Sequence, residues 1–114
     1  MLHTLTDANF SEVTTQEGYI FVDFGASWCP PCKAMLPIVH SYAEDAEFSH
    51  VRFYQVDADA EVGLLEKFAV SSLPTFYVIK LKGDGTCESS DTVQKFVGAQ
   101  DGIAFRKQIL ALTK

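Results

Sequence analysis

The segment YIFVDF, Tyr19 to Phe24, constrains the fold more than any other stretch of the chain. It has the length of a strand, it is built from aromatic and β-branched side chains, and only Asp23 interrupts it. A strand that is apolar on both of its alternating faces must be covered on both, so it belongs inside a sheet with helices on either side. The rest of the sequence supplies those layers. Across residues 30–47, Met35, Val39, Tyr42 and Ala46 recur at helical spacing and form one apolar stripe. VRFYQVD reads as another strand, followed by a helix over about Ala60 to Phe68 with Leu64, Leu65 and Phe68 inward. TFYVIKL and TVQKFV read as two strands of a hairpin, joined by KGDGTCESSD, whose Gly, Asp and Ser suit a loop. LHTLT is a short first strand, and Thr6 or Asp7 is placed to cap a helix running to about Thr15. Asp101 to Leu112 forms the last helix, with Phe105, Ile109 and Leu112 at helical spacing. The order is βαβαβαββα, an α/β chain with a mixed sheet and helices on both faces.

With 114 residues, the chain is expected to form a single domain over residues 1–114. Its net charge of -6, with no cluster of Lys and Arg, argues against a nucleic-acid partner. The longest apolar runs fall far short of the roughly 20 residues that cross a bilayer, which argues against a membrane partner. The start, MLHTLTDANF, has no charged segment followed by an apolar one, so a cytoplasmic protein is expected.

Chemistry concentrates in the cysteines. There are three, Cys29, Cys32 and Cys87, and the first two stand three residues apart, unlike the even, dispersed framework of a disulfide-stapled secreted domain. A Cys-x-x-Cys pair reads either as half of a zinc site or as a redox couple. Zinc normally takes four ligands, and Cys87, His3, His40 and His50 offer no second pair at ligand spacing, so no metal is expected. The pair falls at a strand-to-helix junction. There the free N–H groups and helix dipole favour negative charge, so Cys29 is expected to be the acidic, solvent-accessible nucleophile. Cys32, one turn further in, is suited to resolving a mixed disulfide. Pro30 and Pro31 fit the same junction, because a first-turn proline lacks only an N–H that has no partner anyway.

These residues carry a resemblance. VDFGASWCPPCKAMLP is similar to the active-site stretch of the thioredoxin family, whose usual motif is Trp-Cys-Gly-Pro-Cys-Lys. Asp23, Pro37, the VDAD strand end with Asp57 and Asp59, the triplet Leu73-Pro74-Thr75 and the step Val97-Gly98-Ala99 follow in the matching order. The resemblance implies the thioredoxin fold, a central mixed five-stranded sheet flanked by four helices. It also implies protein-disulfide reduction by a monomer that needs no bound cofactor, acts on disulfide-containing proteins and is recharged by a flavoprotein thioredoxin reductase drawing on NADPH. Phe53 stands where bacterial members often have lysine, which brings the chain closer to eukaryotic cytosolic thioredoxins. Two residues depart from the pattern: Pro30 replaces the usual glycine, and Gly25 stands where bacterial members often have tryptophan. The CPPC form resembles tryparedoxins, which are longer and usually have arginine where this chain has Lys33. The hairpin loop at residues 82–91 is longer than the family's usual tight turn.

Carried over residue by residue, the resemblance makes Asp23 a carboxyl of raised pKa that takes the proton of Cys32; the plainer alternative is a strand-end Asp bonded to nearby backbone. Pro74 is expected to be cis, shaping a backbone edge where Leu73 pairs with an extended substrate. Trp28, Pro30, Thr75 and Val97 to Ala99 complete the substrate surface. Trp28 could instead be a core aromatic; on the surface, its indole N–H has Asp57 or Asp59 as acceptor. Pro37 is expected to kink its helix, Lys33 to be a solvated charge, and His40 and His50 to be surface or capping residues. Cys87, in a polar loop, is expected to be partly exposed, the alternative being a buried, inert thiol. Two other functions fit the same motif: an oxidase or isomerase, disfavoured by CPPC in place of CGHC, and a redox-inactive binding module, disfavoured by two intact cysteines with Asp23 behind them.

Overall fold

In the computed structural model, which describes every residue from Met1 to Lys114, the Tyr19–Phe24 run lies within β2 (Gly18–Gly25), the central strand of a five-stranded sheet. β3 (Val51–Asp57) pairs with β2 in parallel and β4 (Thr75–Leu81) antiparallel. β1 (Leu2–Thr4) adds to β3, and β5 (Thr92–Val97) to β4, giving the order β1-β3-β2-β4-β5. With α1 (Phe10–Val13), α2 (Pro30–Ala43), α3 (Val62–Lys67) and α4 (Gly102–Leu112), the element order is the one inferred from the sequence.

Alternation along β2 divides the core in two. Ile20, Val22 and Phe24 pack with Leu64 and Phe68 on the side covered by α3 and α1. Phe21 points the other way, into a cluster with Met35, Val39 and Tyr42 of α2 and Phe105 and Ile109 of α4. Asp23 is two residues on from Phe21 and so falls on the α2 face. Phe105 anchors α4: its ring lies 5.0 Å from Phe96, 5.1 Å from Phe76 and 5.8 Å from Phe21. Each such pair adds about 0.5–1.5 kcal/mol beyond burial itself.

Several boundaries differ from expectation. The first helix spans only Phe10–Val13, but Thr6 does close the turn that enters it: Asn9 N donates to Thr6 Oγ1 (3.1 Å), Thr6 N to Asn9 Oδ1 (2.9 Å) and Phe10 N to the Thr6 carbonyl (3.1 Å). Asp7, the alternative cap, does not bond that helix. Its carboxylate accepts the Gly63 and Leu64 N–H groups at 3.1 and 2.8 Å, so it satisfies the N-terminus of α3 from far along the chain. The helix after the cysteines stops at Ala43. Ala46 belongs to a separate 3₁₀ turn, Ala46–Phe48, which delivers Phe48 to the core.

Cys87 corrects the expectation of a partly exposed thiol: it is only 8% exposed and packs in the cluster with Tyr77, Leu81 and Phe68. The polar loop around it is tightly folded. Lys82 Nζ bonds both carboxylate oxygens of Asp91 (2.9 and 2.8 Å), and Glu88 N donates to Asp91 Oδ2 at 2.9 Å. That frame turns Cys87 inward, and burial pushes its thiol pKa up.

Candidate active site

The end of β2 delivers the chain to Cys29, the N-cap of α2, and Pro30 and Pro31 occupy the first two helical positions as their fixed φ allows. Cys29 and Cys32 are joined as a disulfide with Cα atoms 5.3 Å apart. The Cys32 backbone N–H donates to Cys29 Sγ at 3.3 Å, which makes Cys29 the sulfur that caps the helix. α2 then runs through Pro37, leaving the Lys33 carbonyl without its usual partner, and continues to Ala43. The expectation that Cys29 is open to solvent does not hold for this disulfide state: Cys29 is 4% and Cys32 7% exposed.

Asp23 lies behind the pair, 4% exposed, and burial raises its carboxyl pKa to about 7. It lines one cleft together with Gly25, Cys32 and Lys33. The register sets Phe53 opposite Phe21 and Gln55 opposite Asp23. The residue facing the buried acid is therefore the uncharged Gln55, which the sequence did not single out because spacing along one strand does not reveal pairing between two.

Trp28 is a surface residue, 64% exposed, and its Nε1 donates to Asp59 Oδ2 at 2.8 Å, so Asp59 is the acceptor. Asp57 acts one step back from the indole, where its Oδ1 accepts the Asp59 N–H at 3.0 Å and so holds the loop that carries Asp59. Pro30 is exposed beside the pair. The Leu73–Pro74 peptide bond is cis. Thr75 opens β4, pairing with Phe24 on one side and Val97 on the other, and Gly98 N donates to the Pro74 carbonyl at 2.8 Å. Gly98 makes that turn at φ +87°, a left-handed conformation that favours glycine. Val97 and Ala99 are exposed, Leu73 is half-buried, and Pro74 and Thr75 are buried. Gln100, which the sequence did not single out, ties this segment to α2: its N–H lies 3.5 Å from Met35 Sδ. All these residues thus meet at one end of the sheet. His40 and Lys33 are exposed; His50 Nε2 lies 3.0 Å from Thr113 Oγ1, far along the sequence from the pair.

A two-cysteine loop capping a helix at the end of a mixed sheet, with a buried carboxyl behind it, defines a thiol–disulfide oxidoreductase: its two sulfurs can hold or give up an electron pair with no other group present. Comparison with known proteins agrees. The thioredoxin family model matches residues 1–110. The thioredoxin of Chlamydia trachomatis is 34% identical over 101 residues, covering 89% of this chain and 88% of that protein. The H-type thioredoxin of Fagopyrum esculentum is 32% identical over 100 residues, covering 86% and 78%. Among solved structures, Plasmodium falciparum thioredoxin superposes with a TM-score of 0.76 at 30% identity, covering 96% of each chain. Malassezia sympodialis thioredoxin gives 0.81 over 99% of this chain and 94% of that one; at 24% identity it speaks for the fold alone. The chain belongs to the thioredoxin family, and it is a dithiol–disulfide oxidoreductase with the thioredoxin fold.

Proposed function

We propose that this chain, acting as a single-domain monomer, reduces disulfides in other proteins, with Cys29 as nucleophile and Cys32 as resolving thiol. The observation that carries the assignment is the capping bond. In the reduced protein, the Cys32 N–H that meets Cys29 Sγ at 3.3 Å, together with the dipole of α2, stabilises a thiolate on Cys29 and not on Cys32. Cys29 sulfur attacks one sulfur of the substrate disulfide; the other leaves as a thiolate and takes a proton from water. Asp23, ionised for part of the time near neutrality, accepts the Cys32 proton. The Cys32 sulfur then attacks Cys29 Sγ and expels the second substrate thiolate, which also takes a proton from water, leaving the substrate with two thiols and this chain with its disulfide.

The substrate segment lies along Leu73, Pro74 and Thr75. Trp28 and Pro30 flank it on one side and Val97, Gly98 and Ala99 on the other. The exposed indole, held by Asp59, supplies an apolar contact of fixed orientation. Recharging needs no resident cofactor: a thioredoxin reductase supplies the electron pair, in the cytoplasm. Insulin reduction with a dithiol donor tests the direction of the reaction, with precipitation of the freed chains expected. Cys32→Ser should accumulate a Cys29–substrate adduct visible by mass spectrometry, whereas Cys29→Ser should accumulate none. An adduct on Cys32 at similar yield would reverse the roles.

A further inference from the structure

The helix α3 begins without a cap of its own: Glu61 stands at the N-cap position, and its side chain makes no bond to the helix. The acceptor comes from the N-terminal loop. Asp7 Oδ2 and Oδ1 take the Gly63 and Leu64 N–H groups at 3.1 and 2.8 Å, and Asp7 N donates to Glu61 Oε1 at 2.9 Å. Two residues 54 apart in sequence thus close the kind of reciprocal pair that a capping box makes within one helix. Gly63 makes room for it. A Cβ at position 63 would lie 2.9 Å from Asp7 Oδ1, 3.0 Å from its Cγ and 3.1 Å from Oδ2, so any side chain there must push the carboxylate off the helix end. Asp7 is itself fixed, because Leu5 N bonds the Gln55 carbonyl at 2.9 Å and Thr6 and Asn9 close the turn around it.

The turn between β3 and α3 carries Asp59, the acceptor of the Trp28 indole N–H, and it is held at both ends. At the strand end, Ala58 N bonds the Gly25 carbonyl at 2.9 Å, and the Asp57 carbonyl takes the Ala60 and Glu61 N–H groups at 3.1 and 3.0 Å. At the helix end the polar tie is Asp7. Trp28 is 64% exposed, so little packing fixes its ring and the bond to Asp59 sets its orientation. We propose that Asp7 is a positioning residue for substrate binding: with Gly63 making room for it, it fixes the start of α3, and through the turn that ends there it holds Asp59 in place against the Trp28 indole. This role rests on Trp28 being a substrate contact. A loose indole has to be ordered each time a substrate binds, which weakens binding and leaves the exchange of bonds at the sulfurs alone. KM therefore rises while kcat stays.

Trp28 is the only tryptophan of the chain, so its indole N–H gives a single NMR signal. Nitrogen relaxation should show that group as rigid as the backbone in the parent, with an order parameter of about 0.85, and Asp7→Ala and Gly63→Ala should each lower it to about 0.6. The same variants should raise KM for insulin about threefold at unchanged kcat. That is equivalent to about 0.7 kcal/mol, at about 1.4 kcal/mol per tenfold, and lies within what one helix cap supplies. Reduction of hydroxyethyl disulfide, which offers the indole no apolar group, should keep the parent rate. Gly63→Ala displaces the cap without removing a charge, which separates position from electrostatics. Asp59→Ala should free the indole directly and raise KM at least as much, and Asp7→Ala should add nothing in that background. Urea unfolding reads the loss of stability separately. If the Asp7 and Gly63 variants lose stability but keep the parent's indole order or insulin KM, Asp7 is a helix cap alone and its positioning role is refuted. If Asp59→Ala also leaves the insulin KM unchanged, Trp28 is not a substrate contact and that reading falls too.

Discussion

Replacing Asp23 by asparagine should make the disulfide form of this protein more stable at pH 8 by about 3–4 kcal/mol and leave it nearly unchanged at pH 4. Burial is the cause. Asp23 is 4% exposed, and its carboxyl, ordinarily near 3.8, is raised to about 7 in the folded chain. Between those two values the folded protein holds a proton that the unfolded chain has released, so stability declines as pH rises across that window and levels off above it. A gap of about 3 pH units at roughly 1.4 kcal/mol each amounts to about 4 kcal/mol, a sizeable part of the 5–15 kcal/mol that holds a typical domain together. Asparagine has the same shape and no proton to lose, so it escapes the decline. Urea unfolding of parent and variant at pH 4, 6 and 8, with the disulfide intact, measures the difference directly. A difference independent of pH, or a variant less stable than the parent at pH 8, would refute the account, since either would mean that the native carboxylate has compensation which burial alone does not give it.

Asp7→Ala should cost about 1–2 kcal/mol in urea unfolding, because the Gly63 and Leu64 N–H groups at the start of α3 lose their acceptor. Cys87 in a Cys29→Ser/Cys32→Ser background should resist a thiol reagent until denaturant is added, as its burial and raised pKa require; fast labelling of the native protein would show that the loop opens. Pro30→Gly should shift the reduction potential, measured against glutathione, by less than about 20 mV. The entropy at stake is at most about 1 kcal/mol, against about 30 mV per 1.4 kcal/mol for this couple.

The parts legible in the sequence were those where one segment carries its own instruction. YIFVDF marked the central strand because both of its alternating sets are apolar, and the two prolines marked the start of α2 because only a helix start tolerates them there. What stayed hidden was set between segments. Gln55 faces Asp23 through strand register, which no spacing along a single strand encodes. Of the two residues expected to cap the first helix, Thr6 closes the turn into it, while Asp7 caps α3 far downstream, a pairing no local spacing encodes. Cys87 was misplaced because loop composition predicts exposure, whereas the Lys82–Asp91 pair folds this loop back over the core. Asp59 could not be told from Asp57 by position, since the choice depends on the direction in which a short turn projects each carboxylate.

The two cores separated by the sheet give the molecule two histories that can proceed apart. The redox helix α2 rests with α4 on the 11-residue cluster around Phe21 and Phe76, while α1, α3 and Cys87 belong with the 12-residue cluster around Val22 and Phe24. Side chains on opposite faces share backbone but no packing, so substitutions on one face add to those on the other with little coupling. Mutational drift on the α1 and α3 side can therefore reshape much of that surface while leaving the seat of the cysteine pair untouched. A lineage, or an engineer, can vary one half of this interior and inherit the other unchanged.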